Sequence, residues 1–170
     1  YVDRNMLMVK KEEFLARDLT ENLDLHKKFD MVISLEVAEH LNEKYADTFI
    51  DTLCRHSDIV LFSAAHVGQG GDGHVNEQPI SYWVEKFEKR GYIWNDIRNE
   101  FKDNYNIEQW YKDNISIFKN QVKKNFKIDD RKIDIVISGL GWITVNSDSG
   151  CEIDIYVPEE IEVFVRESII

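Results

Sequence analysis

A chain of 170 residues with 43% hydrophobic and 12% aromatic side chains is long enough for one substantial core, short for two, and too apolar to be disordered. Its formal net charge is −11, with 15 basic against 22 acidic side chains in residues 1–120 and 6 against 10 in residues 121–170. That balance repels phosphate backbones, so a nucleic-acid-binding domain is not expected beyond a local patch.

No apolar stretch approaches the roughly 20 residues of a membrane span, and no signal-peptide pattern opens the chain. A soluble, cytoplasmic protein without membrane contact is expected. The two cysteines, Cys54 and Cys151, lie far apart and are read as reduced thiols. Tyr1 in first position suggests an upstream part, although processing would look the same.

In chain order, Glu13 to Arg17 reads as a short strand that stops at Asp18. Residues 29–37, FDMVISLEV, are nearly continuous in apolar side chains up to Glu36, as suits a parallel strand covered on both faces. Strands of that kind deliver ligands at their C-terminal ends, which makes Glu36, Glu39 and His40 candidate site residues. A helix follows from about Asn42 to His56, with Asn42 as N-cap and Tyr45, Phe49 and Leu53 recurring on one face. DIVLFSAAHV is a second buried strand. The loop GQGGDGHVNEQ then leads to Pro79 at the start of a helix that Gly91 ends. YIWNDIR and NISIFKN read as a closing antiparallel pair, with an aromatic turn or short helix around Trp110 and Tyr111. The texture changes near Gln121, and three β-rich runs follow, divided by turn residues 146–150 and Pro158. The expected fold class is α/β. A Rossmann-like sheet occupies residues 1–120, and a small antiparallel β unit occupies residues 121–170.

GQGGDG, residues 68–73, formally matches a dinucleotide loop, but five residues and Pro79 separate it from its helix. It is read as an acceptor-side loop, with His74, Asn76 and Glu77 either functional or a solvated turn. Tyr82, Trp83 and Phe87 at helical spacing are read as core. His26, His56 and His66 show no metal-ligand spacing, so no metal site is expected.

Asp18-Leu19 after a short strand, FDMVISLEVAEHL, YADTFIDTLCRHSD, IVLFSAA and GQGGDGHVNEQPISYWVEKFEKRGY together resemble the C-terminal two-thirds of a class I S-adenosylmethionine-dependent methyltransferase. The resemblance is to the small-molecule enzymes of sugar and cell-surface polysaccharide pathways, and it covers roughly residues 1–120. It implies S-adenosylmethionine as cofactor and methyl transfer to a small acceptor, a hydroxyl on a sugar or related metabolite. By the same resemblance Asp18 and Leu19 would hold the adenine. Ser34, Leu35 and Glu36 would line the methionine and sulfonium end, where a carboxylate favours the cation. Glu39 and His40 would sit over the acceptor, and His40 or His74 would take the hydroxyl proton. The family's glycine-rich first turn and ribose-binding acid are absent, and residues Tyr1 to Arg4 resemble the stretch just after that acid. The sheet order of the family then leaves a vacant strand position beside residues 29–37, with backbone groups unpaired. The chain reads as an incomplete copy that binds cofactor poorly.

KIDIVISGLGWITV, an acidic turn and EIDIYVPEEIEVFVRESII are similar to the extreme C-terminal β segment of circularly permuted ribosome-assembly GTPases. No GxxxxGK[ST] motif is present. Gly139, Gly141 and Trp142 are read as serving strand geometry. The resemblance implies a second reading, a non-catalytic interaction module with a ribosome contact through residues 121–170.

Overall fold

The computed structural model describes residues 9–10 and 13–121, together with the backbone of four later strands at 134–139, 141–146, 152–157 and 162–166. The expectations on Tyr1 to Arg4, residues 147–150, Cys151 and Pro158 lie outside the described residues.

Strand β1, Met31–Leu35, is buried from its second residue onward. It runs parallel to β2, Ile59–Ser63, with Val32 opposite Val60 and Leu35 opposite Ser63. Between them the chain forms a short 3-10 turn at Glu43–Tyr45, capped by Asn42 accepting from the Lys44 amide at 3.2 Å, and then α1, Ala46–His56. The apolar spacing of this segment puts Phe49, Ile50 and Leu53 on the buried side, as an amphipathic helix requires. Helix α2, Ile80–Glu88, starts straight after Pro79. Gly91 follows it with φ +80°, a left-handed value that glycine adopts without a Cβ penalty. Strand β3, Tyr92–Asp96, pairs antiparallel with β4, Ser116–Asn120, and the short helices α3, Arg98–Phe101, and α4, Gln109–Asn114, connect them.

The core lies between α1, α2 and this sheet. Phe87 of α2 stacks on Phe118 of β4 at 3.8 Å between centroids, and Phe62 of β2 meets Phe87 and Trp83 at 5.4 Å each. All four side chains are at most 1% exposed. Trp83 and Phe87 are therefore core residues, as their helical spacing suggests.

Strands β5, Asp134–Gly139, and β8, Glu162–Arg166, belong to the same sheet, whose order is β3-β4-β2-β1-β5-β8. β5 lies parallel to β1 along all five β1 residues, from Met31 opposite Ile135 to Leu35 opposite Gly139. β8 pairs antiparallel with β5. Only β6, Gly141–Asn146, and β7, Glu152–Val157, stand in a separate two-stranded antiparallel sheet. The fold is a mixed α/β sheet with helices packed against it.

Two expectations are corrected here. Glu13–Arg17 is irregular rather than a strand. β5 fills the position beside β1 and β8 the next one out, so neither place is open to this segment. The vacant strand position beside β1 does not exist either, because β5, from beyond the expected boundary at 121, fills it. The β-rich tail thus contributes two strands to the main sheet instead of forming only a separate unit.

Candidate functional site

The apolar run that makes β1 ends at Glu36, and the chain turns there sharply. Glu36 has φ +51°, a left-handed conformation uncommon for a residue with a side chain. Its amide donates to the Ser63 carbonyl and hydroxyl, each at 3.1 Å, which ties the turn to the end of β2. A 3-10 turn, Ala38–His40, follows at once and carries Glu39 and His40.

Glu36 is 5% exposed, and its carboxylate is held by neutral amides. Gln69 donates to Oε2 at 3.0 Å and Asn114 to Oε1 at 3.2 Å, while Asn114 also donates to Gln69 Oε1 at 2.8 Å. Glu39 is fully buried; its carboxylate oxygens make no hydrogen bond of normal geometry among the described residues, and the groups nearest to them are the amides of Glu39 and Ala65 and the Glu36 carboxyl. Burial, and then the nearby negative charge of Glu36, push its carboxyl up to about 8.

The glycine-rich loop closes over this turn. The amides of Val75 and Asn76 both donate to the Glu39 carbonyl, at 2.9 and 3.0 Å, so the loop is fastened to the backbone of the buried acid. Glu77 organises the rest: it accepts from the amides of Gly68 at 2.8 Å and Gly70 at 2.7 Å, and from His74 Nδ1 at 2.8 Å. Gly68 and Gly70 have φ of +85° and +73°, which is why the turn that points their amides at one carboxylate needs glycine. Those amides, which a dinucleotide loop would aim at phosphate, are used on the protein's own acid. The His40 and His74 rings meet edge to face at 4.9 Å. Glu39, His40 and His74 each bring one potential ligand atom to a cluster in which all lie within 4.8 Å. These three residues could hold a metal ion.

The structure thus brings Glu36, Glu39, His40 and His74 together. Ser34 and Leu35 lead into the turn from β1, 0% and 4% exposed. Asp18 is exposed, and its partners lie in its own turn: Oδ1 accepts from the Thr20 amide at 2.8 Å and hydroxyl at 2.7 Å, and these bonds hold its carboxyl below the usual range. Leu19 packs against the core from the same turn. Gln69 and Asn114 were not anticipated. Asn114 lies 78 residues from Glu36, and nothing local in the sequence marks it as a partner.

A polar cavity of about 600 Å³ is lined by His66, Gln78, Arg98, Lys112 and Asn114; Glu36, Glu39, His40 and His74 are not part of that lining, and Asn114, which donates to Glu36, is the link between them. His56 has a structural role instead. Nδ1 meets the Thr52 carbonyl at 2.7 Å, Nε2 accepts from the Leu25 amide at 2.8 Å, and burial lowers its pKa. No helix among the described residues is long and apolar enough to cross a membrane.

Fold and site together define a mixed α/β protein with a buried carboxylate and two half-buried histidines clustered at the C-terminal end of a central parallel strand. Comparison with known proteins adds a family likeness in the second part of the chain. Residues 106–169 match the family described as YqeH-like, C-terminal. Over 59 residues the chain is 46% identical to the protein of Bacillus subtilis (strain 168) named Uncharacterized protein YqeH; this is 35% of the chain and 16% of that protein, so only about a sixth of the relative is spanned. Among solved structures, the methyltransferase domain of bacterial CtHen1-C is similar with a TM-score of 0.41 and 19% identity, covering 61% of this chain and 58% of that one. The matched stretch from 106 includes α4 and β4, hence Asn114, as well as the strands beyond 121.

Proposed function

We propose that the chain works as a non-catalytic interaction module related to the C-terminal part of ribosome-assembly GTPases, with a ribosome as partner. The observation that carries this reading is the 46% identity over 59 residues to the B. subtilis protein. The placement of β5 supports it: the strand position beside β1, which a methyltransferase of the expected type would use for its glycine-rich first strand, is filled by this segment. The polar end of β1 then serves the architecture, with Asn114 of the matched stretch clamping Glu36. Co-sedimentation of the intact chain with purified ribosomal subunits tests the reading. Saturable binding by one subunit supports it, and a chain that stays in the supernatant at micromolar concentration counts against it.

A second reading is S-adenosylmethionine-dependent methyl transfer to a sugar or metabolite hydroxyl in the cytoplasm. The observation that favours it is the gathering of Glu36, Glu39, His40 and His74 at the C-terminal end of a parallel strand. Glu36, after Ser34 and Leu35, would face the sulfonium; His40 or His74, beside Glu39, would take the acceptor proton; Asp18 and Leu19 would hold the adenine. In-line placement of the reacting atoms would supply much of the rate. Titration calorimetry with S-adenosylmethionine and its demethylated product decides between the readings. Heat that Asp18→Asn abolishes would favour the enzyme, and a folded chain without heat would leave the interaction module.

A further inference from the structure

We propose that Glu39, His40 and His74 form a binding site for one divalent transition-metal ion, such as Zn²⁺, Mn²⁺ or Co²⁺. The expectation of no metal site was drawn from His26, His56 and His66; the structure instead gathers two other histidines around a buried acid. The proposal stands independently of both functional readings.

The first argument is the unpaired acid. Glu39 is 0% exposed and its two oxygens make no hydrogen bond of normal geometry, with only the Glu39 and Ala65 amides and the Glu36 carboxyl near them, a setting that disfavours a charged carboxylate unless a cation or proton answers it. A second carboxylate, Glu36, stands close enough to act on it electrostatically, and the amides that hold Glu36 carry no charge. A divalent cation would offset both acids.

The second argument is the donor set. Two imidazoles and one carboxylate, with coordination positions left over, form the set that suits borderline transition metals rather than Mg²⁺ or Ca²⁺. Ligand bonds of roughly 2.1 Å put donor atoms about 3.4 Å apart around a tetrahedral ion. The donors here lie within 4.8 Å of one another, so binding would draw them together by at most about 1.4 Å.

The third argument is support around the ligands. Glu77 bonded to His74 Nδ1 is the carboxylate-histidine pairing that orients a ligating ring and fixes its tautomer. Glu77 is itself fixed by two loop amides, and the loop is fastened to the Glu39 carbonyl by two more. Gly73 has φ +72°, and a Cβ there would sit in ordinary van der Waals contact with His40 Nδ1, at 3.4 Å, so the loop packs against that ring. The loop is thus held against the histidine it would share an ion with.

The test uses the full chain, stripped with chelator and titrated with Co²⁺ by visible absorption and with Zn²⁺ by calorimetry. One equivalent of Zn²⁺ and a visible Co²⁺ band are expected. His40→Ala and His74→Ala should each lower affinity by at least about tenfold. His26→Ala, at an exposed position outside the cluster, should leave it unchanged. Circular dichroism checks the fold of each variant, and His74→Gln, which keeps the bulk of the side chain, replaces any alanine variant that unfolds. Absence of saturable binding at millimolar metal would overturn the proposal. So would affinities for the His40 and His74 variants that match the parent.

Discussion

Replacing Glu39 by glutamine separates the cost of a buried charge from the cost of a buried shape, because the side chain keeps its size and loses its ionisation. In the metal-free chain the Glu39 carboxyl is raised from its ordinary 4.5 to about 8, chiefly by burial. Below pH 4.5 the folded and unfolded chains both hold the proton, and Glu39 imposes no pH-dependent cost. As pH rises from 4.5 to 8 the unfolded chain ionises freely while the folded chain keeps its proton, so stability falls by about 1.36 kcal/mol per pH unit. Across that window the loss sums to roughly 5 kcal/mol, a large part of the 5–15 kcal/mol typical of a domain. Glutamine has no such slope. Urea denaturation of parent and Glu39→Gln, in chelator at pH 5 and pH 8, reads the difference directly, since every other titrating group is common to both. The variant should gain several kcal/mol on the parent between the two pH values. Parallel stability profiles would refute the reasoning, because they would mean that Glu39 ionises in the folded chain as easily as in water.

Asn114→Ala removes an amide that donates to the buried Glu36 carboxylate, and the unfolding free energy from urea titration should drop by about 1–3 kcal/mol. Phe87→Ala deletes a ring that is 0% exposed and stacked on Phe118, which should cost about 3–5 kcal/mol and be visible in thermal denaturation. Ile137→Pro removes the backbone N–H of a residue placed opposite Ile33 in β1 and Val163 in β8. Loss of about 1–3 kcal/mol for an orphaned ladder partner is expected, and unchanged hydrogen-exchange protection at Ile33 and Val163 would argue against this strand arrangement.

The elements that depend on neighbours in sequence were legible. The apolar run 29–35, the four-residue spacing of Tyr45, Phe49 and Leu53, Pro79 ahead of a helix and Gly91 behind it each specify an element locally, and each element is found. The grouping of Glu36, Glu39 and His40 was legible for the same reason, since they follow a buried strand directly, and the structure places them together there. What escaped was set by pairing over long separations. Glu13–Arg17 has strand-like composition, but a strand exists only beside a free edge. Asn114 meets Glu36 because α4 returns to the top of β1, a consequence of topology with no local signature. The loop from Gly68 to Gly73 shows a phosphate-loop pattern, and only the fold reveals that Glu77 already takes its amides.

The position of β5 bears most on how the two resemblances fit together. A methyltransferase sheet cut before its first strand would leave β1 with a row of unsatisfied donors and acceptors along one edge, a liability that proteins cover or pair. Here the later segment supplies a parallel strand to that edge, in register over the whole of β1, and caps its own far side with the antiparallel β8. Parallel pairing next to a strand buried on both faces demands an apolar run, and IDIVISG meets that demand as closely as MVISL does. β5 therefore completes the sheet beside β1, while the carboxylate-histidine cluster is built separately, from the 3-10 turn after β1 and the loop that carries His74.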